Sequence, residues 1–283
     1  MNSLSNKHLS QKDSKLNNWT SDYTLKVKEE YPLQYCQMLE SAYGSGMLSE
    51  GGTKAIDAML DGVSLAQRKA LEIGFGLGAV AFYLASKYQM QIDGVELVEW
   101  MPEYAKNKTP PEIAHLVNFH TYDPYPKIPI FDKSCDLVFS KGVLVHVPAD
   151  KKQAVFDEIA RVVKFAGDLV IDDWLSEHED RFGAKIEELC RSEDLSLFPE
   201  TEESYTKTLQ KSGFSIVSID NRNDEYRQYN LDIVNKLKGE EGVEFVAKFG
   251  QGNLDEIMKG HQNIADAINQ GELLIRRIRA KKL

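Results

Sequence analysis

The sequence predicts an α/β protein with a mostly parallel sheet and helices on both of its faces. Three observations carry this. From Lys69 onward short apolar runs alternate with amphipathic helical patterns, a glycine-dense turn follows the first run, and an acidic residue closes the second. The first run, Lys69 to Ile73, abuts Gly74-Phe75-Gly76-Leu77-Gly78, and a helical pattern begins at Ala79. Strand, glycine turn and helix together bring bare backbone N–H groups against a nucleotide-like ligand. Glu96 ends the second run about twenty residues on, where a carboxylate accepts both hydroxyls of a ribose.

Residues 1–24, rich in Asn, Ser, Lys and Gln, read as a mobile tail, and 25–283 as a single domain in three stretches. The first, 25–66, is expected to hold helices kinked at Pro32, a glycine-dense loop from Tyr43 to Gly52, and a helix over 53–61. The glycines give that loop the freedom of a lid. The second stretch, 67–176, carries strands expected at 69–73, 91–97, 116–120, 135–139 and 167–172. Its clearest helix covers 150–163, where Val155, Ile159 and Val162 share a face, Asp150 caps the start, and Gly167 stops the helix and opens a strand. The third, 177–283, reads as helices over 178–190 and 201–212, a strand over 214–219, a long helical stretch from 223 to 269, and a last strand at 272–278. An insertion of helices before the last strand is expected to cap the C-terminal edge of the sheet.

A length of 283 residues with 42% hydrophobic side chains supports one large core. The formal charge of −10 and pI near 5.2 argue against a nucleic-acid partner. The densest basic cluster, Arg276-Arg277 to Lys281-Lys282, reads as solvated residues flanking an edge strand. Cys36, Cys135 and Cys190 are widely spaced and predict neither a disulfide framework nor a zinc site. Such usage suits a reducing cytosol. With no apolar leader and no run of about 18 apolar residues, the chain is expected in the cytoplasm and off the membrane. No metal is expected, and the sequence does not set the oligomeric state.

Asp123 follows the third strand, where a carboxylate can accept from an adenine amino group with Tyr122 or Pro124 beside the ring; alone, it also suits a turn before Pro124. Leu-Glu-Ile-Gly-Phe-Gly-Leu-Gly at 71–78, Asp123, and Phe-Ser-Lys-Gly-Val-Leu-Val-His-Val at 139–147 together resemble class I S-adenosylmethionine-dependent methyltransferases. The loop at 43–52 and Ile171-Asp172-Asp173-Trp174 narrow the resemblance to phosphoethanolamine N-methyltransferases, over roughly residues 30 to 282. The resemblance implies a Rossmann-like sheet with an N-terminal helical lid and a helical cap inserted before the last strand. It implies S-adenosyl-L-methionine as cofactor, leaving S-adenosyl-L-homocysteine. Gly74, Gly76 and Gly78 would pack against its methionyl part, Ser49 would meet the methionyl end, and Glu96 would hold the ribose. Asp123 and Tyr122 would meet the adenine, Ser140 and Lys141 would line the floor, and Glu72 and Leu97 would complete the set. The family's catalytic tyrosine and histidine fall on Tyr31 and His146.

Elementary chemistry agrees with a histidine there. An alkylamine is mostly protonated at neutral pH, and an imidazole of pKa about 6.5 is suited to taking its proton. The chain also departs from the family. Gly142 stands where the family has an aspartate, Ser192 to Leu197 replace an Arg-x-Tyr phosphate grip, and Trp174 replaces a phosphate-binding tyrosine. Trp174, Tyr226 and Tyr229 suit a wall facing a cationic product; alternatively, Arg227 or Lys141 suits an acceptor carboxylate. The expected reaction is N-methylation of a small polar amine. S-methylation of a thioether such as methionine and C-methylation of an isoprenoid or sterol-like acceptor stay open, as does a nicotinamide dehydrogenase.

Overall fold

A computed structural model describes residues 29–122 and 126–283. Seven strands form one sheet: β1 (Lys69–Ile73), β2 (Gln91–Glu96), β3 (Val117–Thr121), β4 (Cys135–Lys141), β5 (Val163–Leu175), β6 (Phe214–Asn221) and β7 (Leu274–Lys282). Their order is β3-β2-β1-β4-β5-β7-β6, with β1 to β5 parallel and β7 antiparallel to both neighbours. Around them lie α1 (Leu33–Tyr43), α2 (Gly52–Leu60), α3 (Ala79–Tyr88), α4 (Met101–Lys108), α5 (Ala149–Val162), α6 (Ala184–Ser192) and α7 (Glu202–Lys211). Three more helices, α8 (Asn223–Leu237), α9 (Glu240–Phe249) and α10 (Gln251–Gln270), separate β6 from β7.

Strand alternation divides the core into two layers. Leu71, Ile73, Val138, Leu169 and Ile171 pack against Val155, Phe156 and Ile159 of α5 and Leu209 of α7. Ala70, Leu137, Phe139 and Val170 face the other way, onto Ile56 and Met59 of α2, Leu84 of α3 and Met101 of α4. Burial on both faces is why these strands read as near-continuous apolar runs. The insertion makes its own core with α6, around Leu189, Ile264 and Ile268. Helix α1 packs on it through Leu39 and Ala42 against Ile233, Leu237 and Phe245. No helix among the described residues is long and apolar enough to cross a membrane.

Several local expectations are corrected. Helix α5 is preceded by Pro148, and Asp150 sits in its first turn, where it meets the positive end of the helix rather than capping it. The helix ends at Val162 and β5 starts at once, so Gly167 lies inside the strand. There the register against β4 slips between Cys135 and Leu137, with Ala166 at φ +56°, as in a bulge. A Cβ on Gly167 would stand 2.9 Å from the Lys164 carbonyl oxygen. The helix expected at 178–190 forms at Ala184–Ser192, and the 223–269 stretch breaks into three helices, at Lys238-Gly239 and at Gly250. The tail at 1–24, the start of the first expected helix and Asp123 lie outside the described residues.

The largest correction concerns the basic C-terminus. β7 is an interior strand, and Arg277 is fully buried. Its Nε donates to Asp172 Oδ1 at 2.8 Å and its Nη2 to Oδ2 at 2.7 Å, while Nη1 donates to the Ala58 carbonyl at 2.6 Å. The Tyr226 hydroxyl donates to the same Asp172 Oδ2 at 2.7 Å. One ion pair thereby joins α2, β5, β7 and α8. Removing one partner of a buried pair costs about 3–5 kcal/mol, because the other charge is left uncompensated. Arg277→Met is therefore expected to lose stability on that scale in urea unfolding, and Asp172→Asn/Arg277→Met to lose less. A single-variant loss below about 1 kcal/mol, the range of an exposed pair, would contradict the account.

Candidate active site

Two cavities open beyond the C-terminal ends of the strands, beside β1 and β4 where the strand order reverses. Such a switch point is where open α/β sheets bind ligands. The first, about 150 Å³, is walled by the turn after β1, the end of β2 and the loop before α2. Gly74 and Gly76 take φ of +74° and +57°, and neither leaves room for a side chain. A Cβ on Gly74 would lie 2.5 Å from Val143 Cγ2, and one on Gly76 2.9 Å from Leu48 Cδ1. The turn thus presents backbone to the cavity. Glu96 accepts from the N–H groups of Gly76 (3.1 Å), Leu97 (2.7 Å) and Val98 (3.3 Å), which fixes its carboxylate at the rim.

The second cavity, about 110 Å³, lies between the sheet edge, α1, α6 and α10. Tyr31, Leu48, Ser49, Gly142 and His146 line both cavities. At that shared wall the Tyr31 hydroxyl donates to His146 Nε2 at 3.2 Å, and His146 Nδ1 donates to the Ser196 carbonyl at 3.1 Å. Glu30 Oε2 stands 3.7 Å from the same Nδ1, and Glu30 Oε1 accepts from the Ser196 N–H at 3.0 Å.

Burial sets the protonation states. It pushes His146 down to about 4, only partly opposed by the Ser196 carbonyl, so the imidazole is neutral at pH 7. Burial and then Glu30 push the Tyr31 phenol far above its usual range, so its proton stays on. Glu72 is pushed up to about 8 by burial and then by Glu96, and its Oε2 has no hydrogen-bond partner among the described residues. Burial also raises Glu96, against the pull of its three N–H donors.

Of the residues singled out in the sequence, Tyr31, Ser49, Glu72, Gly74, Gly76, Glu96, Leu97, Tyr122, Lys141 and His146 line the first cavity, and Trp174 lines the second. Others line neither. Gly78 precedes α3, where a Cβ would meet Phe82, Ala105 and Phe119 within 3.0–3.2 Å, so it serves packing. Ser140 is buried and donates to the Ile73 carbonyl at 3.3 Å. Tyr226 is 2% exposed and spent on Asp172, and Arg227 lies one residue further round α8. Sequence reasoning missed Tyr35 and His261, and it met Tyr43 only as the start of the glycine loop and Glu193 only within the stretch that replaces the phosphate grip; all four line the second cavity. Tyr31, Tyr35, Leu39 and Tyr43 recur every four residues, a helical face that the pattern could have revealed. His261 carries no such signal. No group of three or more His, Cys, Asp or Glu among the described residues could hold a metal ion.

Comparison with known proteins fits this geometry. Residues 71–171 match the model of a methyltransferase domain. A phosphoethanolamine N-methyltransferase of Triticum aestivum is 28% identical over 242 residues, covering 82% of this chain and 44% of the wheat protein. This chain thus spans less than half the length of that relative. A phosphoethanolamine N-methyltransferase of Plasmodium falciparum is 23% identical over 237 residues, 83% of this chain and 87% of that one. Phosphoethanolamine N-methyltransferase 2 of Haemonchus contortus, solved with phosphomonomethylethanolamine and S-adenosylhomocysteine, has a TM-score of 0.78 at 23% identity, over 88% of this chain and 57% of that one. That likeness shows a shared fold. The domain match overturns the dehydrogenase alternative.

The residues fit S-adenosylmethionine: a side-chain-free turn, a fixed carboxylate for a ribose, and in Glu72 a buried carboxyl with an unused oxygen. At pH 7 Glu72 holds its proton, and a cationic amino group brought beside it favours the ionised form. Cofactor binding is therefore expected to release a proton, and affinity to rise with pH up to about 8 and then level off. Calorimetry with S-adenosylhomocysteine in buffers of different ionisation enthalpy checks this. The parent should show proton release that Glu72→Gln abolishes; equal heats in all buffers would contradict it.

Proposed function

As a class I S-adenosylmethionine-dependent methyltransferase resembling the phosphoethanolamine N-methyltransferases, the chain requires a methyl acceptor, and we propose that this acceptor is a small amine methylated at nitrogen. The observation that carries the reading is the hydrogen-bonded Tyr31–His146 pair on the wall common to both cavities. When bound, the cofactor supplies a methyl group made electrophilic by its sulfonium. The protein's task is to deliver an unprotonated nitrogen in line with it.

Burial helps twice. It keeps His146 neutral, so its Nε2 can take up a proton, and it keeps the Tyr31 proton in place to be passed on. The nitrogen's proton passes to the Tyr31 oxygen as the Tyr31 proton moves to His146 Nε2, leaving the phenol protonated and the imidazole charged. Ser196 accepts from Nδ1, and Glu30 at 3.7 Å offsets the imidazolium charge. The loop carrying Ser49 acts as a lid. Lys141 Nζ donates to the Glu50 carbonyl at 3.0 Å and so ties that loop to the end of β4, excluding water from the reacting groups. A thioether has no proton for the pair to remove, and the second cavity, about 110 Å³, sets carboxylates and tyrosines among its aliphatic residues and is small for an isoprenoid chain.

Labelled S-adenosylmethionine incubated with a panel of small amines tests the reading. Turnover is expected, falling about 10²-fold or more in kcat for His146→Ala and Tyr31→Phe, with S-adenosylhomocysteine affinity nearly unchanged. Amine turnover that survives both substitutions would remove the pair from the chemistry. Transfer to a thioether, with none to any amine, would replace the reading.

A further inference from the structure

The second cavity has a charge character that the family resemblance does not supply. Its wall carries the rings of Tyr31, Tyr35, Tyr43 and Trp174 and the carboxylates of Glu50 and Glu193, and no lysine or arginine among the described residues lines it. Two of its hydroxyls are already committed: Tyr31 donates to His146, and Tyr35 donates to Glu193 Oε2. Glu50 has a cation within reach, Lys141 Nζ at 3.7 Å, whereas no ion pair to Glu193 forms among the described residues. On the α10 side His261, 4% exposed, donates from Nδ1 to Asn230 Oδ1 at 2.8 Å. The Asn230 amide nitrogen is held in turn by the Tyr226 carbonyl at 2.9 Å, so Oδ1 must accept. This fixes the His261 tautomer and leaves Nε2 as a hydrogen-bond acceptor.

We propose that this cavity is an anionic aromatic chamber for small organic cations that carry no phosphate or carboxylate, anchored at Glu193 and the tyrosine and tryptophan faces. The inference rests on the reading of the acceptor as an amine and names its class. An ammonium, above all one already methylated, is attracted to aromatic faces and to a carboxylate that lacks a counter-ion. A phosphate dianion would meet Glu193 and Glu50 with no guanidinium or ammonium on the wall to compensate it, and like charges in a partly desolvated space repel strongly. The chamber thereby selects amines with a neutral or cationic far end and rejects those with an anionic one.

Choline and phosphocholine test this on the full chain loaded with S-adenosylhomocysteine. Choline has no nitrogen lone pair to methylate, so its binding reports the chamber independently of turnover. Calorimetry is expected to show choline binding at least about tenfold tighter than phosphocholine, and Glu193→Gln weakening choline by about tenfold. Glu193→Arg should reverse the preference. The affinity of each variant for S-adenosylhomocysteine verifies that it is folded. Phosphocholine binding more tightly than choline to the parent, or no detectable choline binding at millimolar concentration, would overturn the proposal. Choline binding without methylation of any amine would refute the amine reaction and leave the chamber standing. Preferred turnover of phosphoethanolamine over ethanolamine would do the reverse.

Discussion

A carboxylate and a guanidinium 105 residues apart, Asp172 and Arg277, meet in the interior, and much of the architecture follows from keeping that pair compensated. Two desolvated charges are tolerable only when their geometry is bidentate and their remaining donors and acceptors are used. Asp172 is met by the Nε–Nη2 edge of the guanidinium and by Tyr226, and the third guanidinium nitrogen reaches the Ala58 carbonyl. The chain that leaves the sheet after β5 is thus drawn back beside it as β7, with the helical insertion standing over the strand ends. The next residue extends the same logic to the other face of β5. Asp173 accepts from the N–H of Val145 at 3.2 Å and from the Tyr205 hydroxyl at 3.0 Å, which holds the turn bearing His146. Burial pushes Asp173 up to about 6, against the pull of Lys152 and its hydrogen bonds.

The turn that Asp173 braces carries His146 into the wall shared by the two cavities. On one side lie backbone cleared of side chains and the carboxyls of Glu72 and Glu96; on the other lie tyrosines, a tryptophan and carboxylates among aliphatic side chains. Tyr31 and His146 stand between them, each held in its neutral form by burial. A neutral pair can move one proton without first giving one up to solvent. In the proposed reaction, proton removal and methyl delivery share this wall, with Glu30 3.7 Å from His146 Nδ1 to meet the charge that results.

The glycine-walled cavity was legible because its physics is local. A strand, a turn demanding positive φ and a carboxylate at a strand end occupy a short window, and Gly74, Gly76 and Glu96 stand where that pattern puts them. Gly78 shows the limit: the same spacing serves helix packing against Phe82 and Phe119. The acceptor half depends on partners far apart in sequence. Arg276, Arg277 and Arg279 look solvated until Asp172 is known to face the second of them. His261 reads as an unremarkable position on an amphipathic helix and Glu193 as one member of an acidic stretch, and only folding puts them on one wall. Tyr226 illustrates the converse, an aromatic whose hydroxyl is claimed by the interior pair rather than by a ligand.

The central claim is that the methyl group crosses between the cavities at Tyr31 and His146. A crystal structure with S-adenosylhomocysteine and an unmethylated amine bound together tests it most directly. The account predicts the sulfur in the glycine-walled cavity, the amine nitrogen in the aromatic one within hydrogen-bonding distance of the Tyr31 hydroxyl, and a line between them open enough for one methyl group. An amine bound elsewhere, or a sulfur turned away from that wall, would contradict it.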